Sequence, residues 1–208
     1  MRGLARAQRN RGSGRGRPLV AAGSAERVAR DLPRQNQVLG KYWPAADLAS
    51  TADTASGDVL RQLGSHPWLH VCEPSRQNPA YPAAGLLVDL EQPDESLSLV
   101  EVGQTDLDEA EFAFLGRCTT VDEAPSAASV PLGTALAFAG YRHTVSSLWD
   151  LDGEADAQVH ADTFDEVFGR GDWDADRAST ALHLAAKRLR SHFPEEPEKW
   201  AAHIHVGP

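Results

Sequence analysis

Three short strand-like runs, each ending at a loop signal, constrain this chain more than any other feature. Trp68-Leu69-His70-Val71-Cys72 runs into Glu73-Pro74. Glu111-Phe112-Ala113-Phe114-Leu115-Gly116 runs into Arg117-Cys118-Thr119-Thr120, and His143-Thr144-Val145-Ser146-Ser147-Leu148-Trp149 runs into an acidic stretch. Runs this short, with little polar alternation, read as strands covered on both faces. The helical patterns between and after them are Leu132–Ala139, closed by Gly140, then Glu154–Phe168 and Asp174–Phe193. Buried strands alternating with helices predict an α/β layered fold around a largely parallel sheet.

Weaker elements fill the order. Ser24–Leu32 reads as a short helix, with Ser24 as N-cap and Pro33 as stop, and Gln37–Gly40 as a brief strand. Ala52–Leu63 reads as a helix with Val59, Leu60 and Leu63 on one side, and Leu86–Leu90 and Leu97–Val102 as further strands. Pro197–His203 is a last turn or helix before Ile204-His205-Val206. No internal repeat occurs, so the chain is not itself a solenoid. The 208 residues fit one domain, which we place at 18–208. Residues 1–17, with six arginines and no acid, read as a disordered basic leader or linker.

Charge and cysteine usage exclude several functions. Beyond residue 17 the chain carries fourteen basic and thirty acidic residues, a net of −16, so the main domain should repel nucleic acid and anionic membrane. Its longest apolar stretch, Leu132–Tyr141, is too short to span a bilayer. Two cysteines, Cys72 and Cys118, make neither a disulfide framework nor a zinc spacing, and a reducing cytoplasm is expected. Arginine and alanine far outnumber the three lysines, a bias typical of GC-rich bacterial genes.

Cys118 is the informative side chain. It stands just past a buried strand, at the edge where α/β sheets carry their sites, with Gly116, Thr119 and Thr120 leaving the thiol reachable. The residues alone allow a small buried hydrophobe or a nucleophile. A nucleophile needs a base from a second strand end, after His70 or after Leu148. His70 lies within its strand and reads as a satisfied core histidine. The loop beyond offers Glu73, whose charge would raise a thiol pKa. His183, His192, His203 and His205 lack a cysteine or carboxylate at ligand spacing and read as surface histidines, so no metal or cofactor is expected. Asp150, Asp152, Glu154 and Asp156 read as acids at a helix N-terminus, and Ser146-Ser147 lacks a serine-hydrolase elbow.

Four segments in order resemble the CHAT family, caspase-related domains often found downstream of tetratricopeptide repeats in bacteria. They are Leu63-Gly64-Ser65-His66-Pro67-Trp68-Leu69-His70-Val71, Ala110 through Thr120, Asp122-Glu123-Ala124 with Ala135 through Trp149, and Ala181-Leu182-His183 through Pro208. The resemblance runs from about Asn36 to the C-terminus. It implies a caspase-like three-layer αβα sandwich with a mostly parallel central sheet, and a Cys/His dyad for peptide hydrolysis. Cys118 matches the family nucleophile. Aligning the family's HFACHG strand motif on His70 puts Pro74 at the catalytic histidine position, and a shift of one puts Glu73 there.

Two functional readings follow from the resemblance. In the first, the chain is a catalytically impaired domain that acts as a binding or regulatory module for a protein or peptide, a tetratricopeptide-repeat protein among the candidates. Arg76, Gln77 and Asp122 would then grip the ligand. In the second, Cys118 is the nucleophile of an active cysteine endopeptidase, with His70 or His143 as substitute base and Arg117 or Arg142 lowering the thiol pKa. A decayed or mis-started gene product with no present function is the third possibility.

Overall fold

The computed structural model describes residues 16–22, 33–50, 56–72, 86–88, 97–116, 132–149, 151, 153–171 and 173–208. Its strands are β1 (Pro18–Ala22), β2 (Asp47–Ser50), β3 (Trp68–Val71), β4 (Leu86–Val88), β5 (Leu97–Ser98), β6 (Phe112–Leu115), β7 (His143–Ser147) and β8 (His203–Val206). Its helices are α1 (Pro33–Tyr42), α2 (Ser56–Leu63), α3 (Leu99–Gln104), α4 (Leu132–Ala139), α5 (Gly153–Phe168), α6 (Ala178–His192) and α7 (Pro197–Trp200). A 3₁₀ turn at Ala175–Arg177 leads into α6.

Six strands form the main sheet in the order β2-β1-β3-β6-β7-β8. Five are mutually parallel, and β8 closes the edge antiparallel to β7. Every residue of β3, β6 and β7 is buried, although β7 carries the polar His143, Thr144, Ser146 and Ser147. Successive side chains alternate between two helical layers. Leu69, Val71, Ala113 and Leu115 face α2, α3 and α4. Trp68, Phe112 and Phe114 face α1, α5 and α6. The result is the three-layer αβα sandwich.

Local sequence explains the helices, including two that pattern reading missed. Pro33 opens α1, at the N-terminal position where its missing N–H costs nothing. Gln35, Leu39 and Trp43 then recur at helical spacing and all are buried. So Gln37–Gly40 is helix, not strand, and Pro33 starts an element rather than stopping one. Likewise Leu97–Val102 is strand for only two residues. Ser98 and Glu101 form a reciprocal capping box, and α3 begins at Leu99. β4 and β5 pair with each other outside the main sheet, while β2 was not foreseen. The expected helix at Ser24–Leu32 falls outside the described residues. Residues 1–15 of the basic leader do as well, whereas Arg17 bonds the Ala45 carbonyl and pairs with Asp47 at 2.7 Å.

Gly140 ends α4 with φ at +138°, and a Cβ there would sit 2.2 Å from the Leu107 carbonyl oxygen. That carbonyl belongs to the turn whose Leu107 N–H donates to the Ala139 oxygen at 2.8 Å. Gly140→Ala therefore combines backbone strain with a backbone clash. It should lower stability by well over about 1 kcal/mol, read as a lower urea midpoint with the slope unchanged. An unchanged midpoint would refute this account of the α4 terminus.

Candidate functional site

Neighbouring parallel strands leave the sheet on one edge. Val71 of β3 lies opposite Leu115 of β6, and Leu115 opposite Ser146 of β7. The ladder runs one step further: the Cys72 N–H donates to the Ala21 oxygen and the Gly116 N–H to the Val71 oxygen, both at 2.9 Å. Cys72 and Gly116 thus close adjacent strand ends, on strands roughly 4.8 Å apart. Cys118 itself, Glu73, Pro74, Arg76, Gln77, Arg117 and Asp122 lie outside the described residues. Cys72, by contrast, is buried and free of any disulfide.

A chain of buried polar groups reaches this edge from the α5 side. Gln35 of α1 sits against Gly116, whose Cβ would lie 3.2 Å from the Gln35 Nε2. That Nε2 donates to Asp156 Oδ2 at 2.7 Å, and the other Asp156 oxygen lies 3.2 Å from His203 Nε2. Asp156 is 1% exposed, so it is no solvated helix-dipole acid. Its carboxylate ties α1, α5 and β8 together. Nor is His203 a surface histidine, since its side chain is 2% exposed.

Beside this chain His70 and His160 stack with ring centroids 4.5 Å apart. Both are fully buried, and no ring nitrogen of either has a hydrogen-bond partner. His70 points into the α5 layer as its strand position predicts. It is not satisfied, however, because Phe114 and Phe164 surround it with ring faces and edges rather than acceptors. Burial pushes its pKa down to about 4, against a smaller upward pull from Asp156. Burial also drives His160 well below the usual imidazole range, and neighbouring His70 and His203 push the same way.

The opposite edge of the sheet carries a second polar cluster. His143 begins β7, opposite Phe112, at the other end of the strand from Ser146. Its Nε2 lies 3.1 Å from Asp176 and its Nδ1 3.0 Å from His205 Nε2. Arg142 spans Glu111 at 2.8 Å and Asp176 at 2.5 Å. Burial works to raise the Asp176 pKa, but the His143 hydrogen bond and the Arg142 charge hold it below the ordinary value. His143 and Arg142 thus lie at the start of β7, away from the edge that Leu115 and Ser146 reach. Gly207 closes the cluster, where a Cβ would meet the Arg142 carbonyl at 2.6 Å. Among the described residues no cluster of His, Cys, Asp and Glu is arranged to hold a metal ion. No helix among them is long and apolar enough to cross a membrane.

Residues 44–208 match the CHAT domain family. The chain belongs to that family. Two crystal structures of the Saccharomyces cerevisiae separase–securin complex share the CHAT domain's fold, each with a TM-score of 0.59, at 11% and 12% identity. The match covers 99% of this chain but only 13% of the separase-complex chain, so this CHAT domain corresponds to a small part of that protein. No curated protein matches the sequence.

The Gln35–Asp156–His203 chain escaped the sequence reading because its members come from α1, α5 and β8, 121 and 47 residues apart. Asp156 did carry a signal. It recurs at helical spacing with Val159, His160 and Thr163, all on the buried stripe of α5. For the opposite edge, Arg142→Met would leave the 4%-exposed Glu111 without its guanidinium. The expected loss is about 3 kcal/mol of unfolding free energy, measured by urea denaturation at pH 7. A loss under about 1 kcal/mol, the range of surface pairs, would show that the cluster does not hold β7 and β8 together.

Proposed function

We propose that this CHAT domain keeps its cysteine at the nucleophile position but works by binding a protein or peptide, not by cutting one. A cysteine nucleophile needs an imidazole both to take up the thiol proton and to deliver one to the leaving amine. The observation that carries the reading is where the imidazoles are. All eight histidines of the chain fall within the described residues. His70 and His160 are sealed in the α5 layer. His203 lies opposite Ser147 at the end of β7, and its ring is buried and turned to Asp156. His143 and His205 pair at the far edge. His66 precedes β3 and bonds the Gln62 carbonyl and Asp47, and His192 folds back onto the Arg188 carbonyl. His183 is exposed on α6.

The position that resembles the family's catalytic histidine is Glu73 or Pro74, and neither supplies a base suited to a thiol. Separase was crystallised with securin, a protein. That precedent, and the company CHAT domains keep with tetratricopeptide repeats, make a repeat protein the first partner to test. A reducing, cytoplasmic setting suits the buried Cys72, which forms no disulfide.

The two functions separate in a degenerate peptide-library digestion with the wild-type chain and Cys118→Ala. The binding module predicts identical product profiles, with no cleavage above buffer. Cleavage present in the wild type and lost by about 100-fold or more in Cys118→Ala would overturn the reading in favour of a cysteine endopeptidase.

A further inference from the structure

The stacked histidines are unused by any binding or cutting role, and they are costly to bury. Four ring nitrogens of His70 and His160, His203 Nδ1, the Gln35 Oε1 and the Thr163 Oγ1 all lack partners in one layer. Each such group loses its water without replacement, so a neutral, closed pair is held only by the surrounding packing. That packing brings almost nothing that could neutralise a proton. From β3 come His70 and the buried thiol of Cys72, from β6 Phe114, and from β7 Val145. From α6 come Ala181, Ala185 and Leu189, and from α1 Gln35 and Leu39. From α5 come His160, Thr163 and Asp156, and from β8 His203. Among the described residues Asp156 is the one carboxylate acting on His70, and it is already engaged by Gln35 and His203.

We propose that the His70–His160 pair is an acid-operated latch on the first half of α5, and that its release frees Gln35 from Gly116 and loosens the strand-end edge. One proton on either ring puts a cation against its stacked neighbour inside an apolar layer. The cheapest relief is to move His160 out with the helix that carries it. Asp156 lies one turn earlier on the same helix, so the motion breaks its bonds to Gln35 and His203 together. Gln35 is then no longer held against the turn after β6. The effect on the edge as a binding site rests on the function proposed above. The latch itself does not.

The sign follows from the imidazole pKa. In the closed state His70 takes a proton only near pH 4, whereas a released imidazole does so near 6.5. The closed state is therefore favoured above pH 6.5 and loses ground as pH falls toward 4. From His70 alone the opening constant rises about 20-fold between pH 7 and pH 5, and His160 adds to it.

Amide hydrogen exchange at pH 7 and pH 5, corrected for the intrinsic pH dependence, reads this directly. Amides of residues 155–163 should lose about 20-fold or more of their protection at pH 5, while those of α6 keep theirs. The Gly116 amide, bonded to the Val71 oxygen, should lose protection along with α5. In H70F and in H160F the pH-dependent loss should shrink, and either variant suffices should the other fail to fold. Protection of α5 that does not change with pH, or loss from α5 and α6 together as in global unfolding, overturns the latch. Opening of α5 with Gly116 still protected overturns the link to the edge. A chain found to cut peptides would leave all these exchange results standing, so the two proposals fail separately.

Discussion

Parallel pairing of β3 with β6 is the constraint on which the rest of the structure depends. Parallel neighbours cannot be joined by a tight hairpin, so the chain must cross over between them, and both faces of the sheet end up covered. The uninterrupted burial of β3, β6 and β7 is the consequence. The same pairing ends adjacent strands at Cys72 and Gly116 on one edge of the sheet, the edge where α/β folds carry their sites.

Polar groups enter this sandwich in two places with opposite economies. At the start of β6 and β7 the charges are matched: Arg142 has Glu111 and Asp176, and His143 has Asp176 and His205. That cluster fastens the antiparallel closing strand to a sheet that is otherwise parallel. In the α5 layer the groups are mismatched. One carboxylate, Asp156, serves Gln35 and His203, and His70 and His160 are left with ring faces for neighbours. Burial without partners is tolerated there only while the imidazoles stay neutral. Acid works against that layer. Across the sheet burial also holds His143 below the usual imidazole range and His205 down to about 4, so that cluster too favours neutral rings.

What the sequence could reveal depended on whether the signal was local. The buried strands were legible because a short apolar run can be covered on both faces or not at all. The layered architecture followed from their alternation with helices. Where local signals competed, packing decided: Val38-Leu39-Gly40 resembles a strand until Gln35, Leu39 and Trp43 are seen to share one buried face. At Leu97–Val102 the Ser98–Glu101 capping box outweighed β-branched residues. Histidine placement was the least legible. His70 could be assigned to a layer from strand phase, but no local pattern says that His160 stacks on it or that His203 is buried against Asp156. Those contacts join residues 90 or 47 apart in the chain. They decide between a thiol with a base and a thiol without one.

The central claim is that no imidazole activates Cys118. The most direct measurement is the alkylation rate of Cys118 against pH, in a Cys72→Ala background so that one thiol reports. The account predicts a rate that follows a thiol pKa at or above about 8.5, the value of a free cysteine. A thiolate appearing well below that value would contradict it, because an activating group would then stand beside the sulfur.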